Sequence, residues 1–337
     1  MVNLDEKYMK KCFSLALKGK GKTTPNPMVG CVVLDKNGDV ISTGYHHKYG
    51  ENHAERNALL KLNKNQTKGG TLYVNLEPCS HYGKTPPCTD LIIEYGIKRV
   101  VIGMKDINPK VNGIKQLEQA GIEVTTGVLE DEAKFLNRIF IKNMKEKLPY
   151  VVLKTATTLD GKISTNNGDS KWITSEDARK EVYKIRKEFD CIMTSSNTVI
   201  ADNPKMEHKN KCILDTNSRV STDSKIFEQG EVFVATRKNT KVNKNGKLDI
   251  KYVLSELYKK GIYTVFVECG GTLAGSMLKE GLIDEVYQFI APKILNDNNG
   301  KSCFDGDNIN KISQTKQLKI YSSKTIGTDL FVKYEVL

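Results

Sequence analysis

Four of the chain's five histidines, at 46, 47, 53 and 81, fall in the same short region as Cys79 and Cys88. His53-Ala54-Glu55, then Glu77-Pro78-Cys79, then Cys88 supply one imidazole, two potential thiolates and a carboxylate that need not touch a metal. These are zinc-type ligands. Three of them leave one tetrahedral position for a water whose pKa zinc lowers to about 7. Residues two apart on a regular helix point about 200° away from each other, so His53 and Glu55 can share one centre only at a helix start. There Glu55 reaches the activated water and a substrate nitrogen as general acid and base. A helix beginning near Cys88 places positive dipole potential beside a thiolate. The competing reading is a closed structural site with His81 as fourth ligand; HAE combined with EPC favours catalysis. The generic signature has two residues between its cysteines, whereas here SHYGKTPP intervenes, with groups able to line a substrate pocket.

A second region invites a phosphate. VFVECGGTLAGSML runs from a strand through Gly270, Gly271 and Gly275 into a helix, which is how backbone amides are brought to a pyrophosphate. The pattern is not GxGxxG, and a glycine turn after a strand is often only a turn.

Elements must position these groups. Met9, Cys12, Phe13, Ala16 and Leu17 repeat at helical spacing over residues 5–19. VGCVVLD and DVISTGY flank Asn37-Gly38 as a hairpin. HAERNALLKL reads as a helix, TLYVNLE as a strand, the segment after Pro87 as a helix, and KRVVIG and IEVTTG as strands. A charged helical stretch over 130–147 ends at Leu148-Pro149, dividing the chain into domains 1–147 and 148–337. Beyond it, strands are expected at 150–156, 191–194, 212–214, 231–235, 263–268 and 285–291, with helices at 175–189 and 273–280. Both domains read as α/β.

At this point PNPMVG (25–30), HAE (53–55) and EPCSHYGKTPPC (77–88) resemble the riboflavin-biosynthesis bifunctional deaminase/reductase family. KTATTLDGKIS (154–164), GDSKWIT (168–174), TSSNTVIADNP (194–204), LDTNSRV (214–220) and VECGGTLAGSML (267–278) resemble its reductase half, in order. The resemblance implies a cytidine-deaminase-like three-layer first domain that hydrolyses an amino group from a diaminopyrimidinone ribosyl phosphate. It implies a dihydrofolate-reductase-like second domain that uses NADPH to reduce the ribose to a ribityl chain. It places Zn2+ on His53, Cys79 and Cys88 and the proton shuttle on Glu55. Asn26 and the segment 80–85 become base and phosphate contacts. By matched position the cofactor residues are Ala156, Trp172, Thr198, Asp202 and the loop Gly270, Gly271, Thr272, Leu273, Ala274, Gly275 and Ser276. Ser170, Arg186, Met206, Lys209 and Glu268 face substrate. Arg186 could bind a phosphate bidentately, which lysine cannot copy. The clearest departure is Met206-Glu207-His208-Lys209, where the family has leucine, threonine and then arginine.

Composition narrows the field further. A formal charge of +12 raises a nucleic-acid base deaminase with an RNA-binding C-terminal domain as the alternative. The lysines are scattered and no arginine-rich stripe interleaves with aromatics, so a phosphorylated small molecule is the expected partner. A zinc-stabilised scaffold without turnover is the third reading. Eight cysteines are too sparse for a secreted disulfide scaffold. No segment approaches the roughly 20 apolar residues of a membrane helix. A cytoplasmic protein follows, with its oligomeric state, homo-oligomer included, left open.

Overall fold

The computed structural model describes residues 3–83 and 86–337. The chain forms two compact units, Met1–Glu146 and Lys147–Leu337, and among the described residues no sheet draws strands from both. All eight cysteines are free thiols, and no helix among the described residues is long and apolar enough to cross a membrane.

The first unit begins with α1 (Leu4–Ala16), whose start is capped by the Asn3 side chain accepting from Asp5 N–H. There follow β1 (Gly30–Leu34), β2 (Val40–Tyr45), α2 (Ala54–Leu59), α3 (Lys64–Thr67), β3 (Thr71–Leu76), α4 (Cys88–Glu94), β4 (Arg99–Met104), α5 (Gly113–Gln119) and β5 (Glu123–Thr126). The sheet order is β2-β1-β3-β4-β5. β1 is antiparallel to β2 and β3, while β3, β4 and β5 run parallel. At the hairpin, Asp35 Oδ1 accepts from Asn37 and Asp39 N–H, and Gly38 takes φ +92.

β1 is apolar throughout because both its faces are covered. Cys31 and Val33 pack with Ala54, Ala58, Leu72, Val74 and Ile92. Val32 and Leu34 pack with Met9, Cys12 and Tyr73 on the opposite face, giving helix, sheet and helix layers. Gly30 lets α1 approach the sheet: a Cβ there would lie 2.1 Å from Cys12 O.

The single helix expected over 130–147 is two, α6 (Glu130–Leu136) and α7 (Arg138–Glu146). They part at Asn137, which is buried, its amide donating to Met28 O and its Oδ1 accepting from Met28 N–H. That bond fixes the PNPMVG segment at the price of a helix break.

The second unit runs β6 (Tyr150–Thr157), β7 (Lys162–Ser164), α8 (Glu176–Arg186), β8 (Cys191–Ser195), α9 (Ser196–Asp202), β9 (Asn210–Leu214), β10 (Glu231–Ala235), α10 (Ile250–Lys259) and β11 (Thr264–Glu268). It continues with α11 (Gly271–Lys279), β12 (Glu285–Ile290), β13 (Lys301–Ser302), β14 (Leu318–Ile326) and β15 (Asp329–Val336). Its eight-stranded sheet has the order β10-β9-β8-β11-β6-β12-β15-β14. The first six strands are parallel; β15 and β14 are added antiparallel.

Alternate residues of the central strands divide between two faces. Val265 and Val267 join Val151, Leu153, Met193, Val253 and Met277 under α10 and α11. Phe266 points the other way, its ring against Phe189 and Tyr287. The C-terminal ends of the parallel strands, where ligands of such sheets bind, carry the loops that build the second site.

Candidate active sites

His53 caps the start of α2 in extended conformation (φ −69, ψ 165). Its ring therefore projects ahead of the helix while Glu55, the second helical residue, turns inward and is buried. This is the helix start that shared use of the two residues demands. Cys79 follows β3, and Cys88 is the first residue of α4. Cys79 O accepts from the N–H groups of both Cys88 (3.1 Å) and Thr89 (3.2 Å). The intervening segment is thereby looped out, so the long spacing returns both sulfurs to one place.

His53 Nδ1 lies 3.4 Å from Cys79 Sγ and 3.5 Å from Cys88 Sγ, and the three ligand atoms all lie within 4.8 Å of one another. A tetrahedral centre with Zn–S about 2.3 Å and Zn–N about 2.0 Å needs N···S edges of about 3.5 Å. Donor set and spacing both fit zinc. His81 is not in the group, so among the described residues no fourth ligand closes the site. Hydrogen bonding from Cys88 holds the Cys79 thiol below its ordinary pKa and pushes Cys88 up, while the bond to Cys79 raises His53. Burial raises Glu55, whose Oε2 has no hydrogen-bond partner.

Around this triangle, the Asn26 amide lies 3.3 Å from Nε2 of the buried His46, whose ring meets His53 edge-on at 5.5 Å. Glu77 accepts from Asp106 and Ile114 N–H, and Ser80 Oγ accepts from Asn112 N–H at 2.7 Å. These bonds tie the loop after β4 to the rim. Lys84 and Thr85, the end of the expected 80–85 contact segment, lie outside the described residues.

In the second unit a cavity of about 910 Å3 opens over the strand ends. It is lined by Ala156, Ser170, Trp172, Arg186, Thr198, Asp202, Met206, Glu268, Gly270, Thr272, Leu273 and Ser276. Gly271, Ala274 and Gly275 stand behind this wall. A Cβ on Gly275 would come within 1.5 Å of Asp305 O, and one on Gly271 within 2.3 Å of Ser302 O. Their smallness admits the 302–305 segment, which also places Asp305 Oδ2 on the Thr272 hydroxyl.

Lys209, expected to face substrate, is not brought to the cavity: it is exposed and does not line it. Between α9 and β9 Met206 is buried, the His208 ring turns to the carbonyls of Asn210 and Phe189, and Lys209 is left in solvent. Arg186 lines the cavity, yet its fork is already engaged, Nε on Glu268 Oε1 (2.5 Å) and Nη2 on Oε2 (3.0 Å). It does not offer that face to a phosphate.

Lys154 Nζ lies 3.5 Å from the same carboxylate. Burial alone would raise the Glu268 pKa, but Lys154 and Arg186 outweigh it and bring it to about 2. Lys154 was not singled out from sequence, although a lysine within the apolar run YVVLKTA was the signal. Trp172, the only tryptophan, is 65% exposed and stacks on the Arg179 guanidinium at 4.1 Å.

Comparisons with known proteins agree with both halves. Residues 2–104 match the cytidine and deoxycytidylate deaminase zinc-binding region, and residues 149–332 match the RibD C-terminal domain. The chain is 39% identical to the riboflavin biosynthesis protein RibD of Actinobacillus pleuropneumoniae over its full length and 96% of that protein. Its identity to the Escherichia coli RibD is 37%, covering 97% of this chain and 98% of the relative. Among solved structures, Acinetobacter baumannii RibD aligns at TM-score 0.84 with 35% identity, covering 99% of both chains. The Thermotoga maritima diaminohydroxyphosphoribosylaminopyrimidine deaminase/5-amino-6-(5-phosphoribosylamino)uracil reductase aligns at 0.83 with 37% identity, again over 99% of both. Similarity of this extent through both units shows that the chain belongs to the RibD family of bifunctional riboflavin-biosynthesis deaminase/reductases.

Proposed function

We propose that residues 1–147 hydrolyse the ring amino group of 2,5-diamino-6-ribosylamino-4(3H)-pyrimidinone 5′-phosphate, and that residues 148–337 then reduce the ribosyl group to a ribityl chain with NADPH, both in the cytoplasm. The observation that carries the reading is the His53–Cys79–Cys88 triangle with the buried, unpartnered oxygen of Glu55, in one chain with a large cavity over parallel strand ends.

In the first site His53, Cys79 and Cys88 hold the zinc, whose Lewis acidity, when it is bound, brings the ionisation of a water to about pH 7. Glu55 moves the protons: Oε2 accepts one from the attacking water and delivers it to the leaving nitrogen. A carboxyl raised by burial is suited to both halves of that exchange. Asn26, positioned by His46, contacts the base.

In the second site NADPH, when bound, supplies hydride for C1′ of the sugar. Ala156, Trp172, Thr198, Asp202 and the turn from Gly270 to Ser276 hold the cofactor, with Gly271, Ala274 and Gly275 supporting the turn from behind. Ser170, Met206, Arg186 and Glu268 face the substrate. The Lys154–Glu268–Arg186 cluster fixes a charged, hydrogen-bonding wall rather than a free phosphate clamp.

A paired assay tests this. Wild type supplied with the diaminopyrimidinone ribosyl phosphate is expected to release ammonia and oxidise NADPH only after deamination. Glu55→Gln is expected to release ammonia at least about 100-fold more slowly, yet to oxidise NADPH when given the deaminated compound. Zinc-loaded wild type that releases no ammonia and consumes no NADPH overturns the proposal.

A further inference from the structure

Neither cation in the expected substrate set of the second unit is offered to a phosphate. The Arg186 fork is taken by Glu268, and Lys209 stands in solvent off the cavity. Lys154 faces Glu268 as well. The remaining cations that line the cavity form two groups. Arg219, Arg237 and Lys247 belong to the loops after β9 and β10, while Lys171, Arg179 and Lys301 surround β7. β11, which carries Glu268, lies directly beside β6, the strand that leads into β7. On its other side β9 and β10 stand two and three positions away, or about 10 and 14 Å at about 4.8 Å per strand. A ribosyl phosphate whose C1′ sits beside Glu268 is short, so the group around β7 is the one that adjoins it.

Two separate segments bring Lys171 and Lys301 to one rim. Thr165 N–H donates to Asp169 O (2.9 Å), Gly168 N–H to Thr165 O (3.0 Å) and Asp169 N–H to Thr165 Oγ1 (3.1 Å). These bonds close the tip after β7 and return the chain to the cavity at Ser170 and Lys171, both of which line it. Lys301 pairs with Ser164 in the β13–β7 ladder. Its Nζ lies 3.8 Å from where a Cβ on Gly168 would stand, so the ammonium is laid against the same tip. The ladder is anchored at its ends: Lys162 Nζ donates to Gly300 O (3.0 Å), and the Asp160 carboxylate accepts from Leu295 and Asn296 N–H.

The charges at this rim are not cancelled. Among the described residues no ion pair engages Lys171, Arg179 or Lys301. Arg179 donates to Thr174 O (2.8 Å) and stacks on Trp172, both neutral partners. The adjacent Asp169 accepts from the Lys171 backbone N–H (3.2 Å). Of the acids that line the cavity, Glu268 is held by Lys154 and Arg186, and Asp202 and Glu280 sit at the far ends of α9 and α11.

We propose that Lys171 and Lys301, on either side of Ser170, hold the 5′-phosphate of the reductase substrate, in place of the arginine that the family has where this chain reads Lys209. The inference rests on the reading of this unit as a reductase and moves its phosphate contact to residues of this chain outside the family pattern. A lysine is a point charge without a planar fork. Two of them from separate segments, with the Ser170 hydroxyl between, supply the directions that one guanidinium would.

NADPH oxidation by the full-length protein reads the second unit alone when the substrate is the deaminated ribosylaminouracil phosphate or the same compound without its 5′-phosphate. Wild type is expected to favour the phosphorylated form by at least about 100-fold in kcat/KM. Lys171→Ala and Lys301→Ala should each remove about 10-fold of that preference through KM, and the double variant about 100-fold. The KM of NADPH and the thermal transition should not move, and Lys171→Arg and Lys301→Arg should keep most of the preference. Lys209→Ala should leave the preference at its wild-type value. A preference lost in Lys209→Ala, or Lys171 and Lys301 variants that weaken both forms of the substrate equally or weaken NADPH instead, overturns the assignment. Wild type that reduces both forms equally well defeats this inference alone; wild type that reduces neither defeats the reductase reading with it.

Discussion

Glu55 is enclosed by the structure around the His53–Cys79–Cys88 triangle without being one of its members. Glutamine keeps its volume and removes its proton capacity. Glu55→Gln is therefore expected to cut ammonia release by about 10²- to 10⁴-fold while elemental analysis still finds one zinc per chain; loss of the metal together with activity would make Glu55 a structural residue. Glu268 offers a different test. Its pKa is lowered from 4.5 to about 2 by Lys154 and Arg186 against the opposing effect of burial. A carboxylate depressed on folding stabilises the protein above its unfolded pKa and loses that contribution as pH falls through the folded one. Glu268→Gln, which leaves two cations facing no carboxylate, should cost about 3–5 kcal/mol at pH 7. The gap to wild type should narrow below pH 4.5 and close near pH 2. Denaturant titrations followed by Trp172, the only tryptophan, report it; a gap constant with pH would show that the carboxylate charge is not the source. At this scale the zinc triangle was legible because its residue types are scarce and chemically restricted. Lys209 shows the limit of that legibility: a position in a motif does not fix which way its side chain turns, and the structure leaves it exposed outside the cavity.

Elements locate these residues, and the tightest constraint is at α11. Gly275 faces the backbone of Asp305, so Gly275→Ala must displace the 302–305 segment or the helix. Overpacking of this kind costs about 1–3 kcal/mol or more, and the segment borders the glycine turn, so NADPH affinity should fall together with the thermal transition; an unchanged transition would mean that the segment moves freely. Strands buried on both faces, such as β1 and β11, were legible as continuous apolar runs. The edge strand β14 was not, because LKIYSSKTI is exposed along nearly its whole length and has no hydrophobic period to read. α10 does carry a local signal: the Asp249 side chain accepts from Tyr252 N–H, and Ile250, Val253, Leu254 and Leu257 form its buried stripe. The break at Asn137 could not be read locally, since its cause is a bond to Met28 109 residues away.

For the whole molecule, the charge of +12 had left an RNA-directed deaminase in view. The match of residues 149–332 to a reductase-family domain favours the small-molecule reading instead. The two units have separate sheets and separate cores, and the metal ligands all belong to the first. A ligand that binds only the folded state stabilises by RT ln(1 + [L]/Kd), and that contribution acts on the unit that holds it. Removing zinc with a chelator should therefore lower the calorimetric transition of residues 1–146 by several degrees and abolish ammonia release. The transition of residues 147–337 and NADPH oxidation with the deaminated substrate should persist, and separately expressed halves should reproduce the same division. A single transition that shifts as one body on chelation, with both activities lost together, would show that the second unit depends on the first for its stability and that the division visible in the cores is not an energetic one.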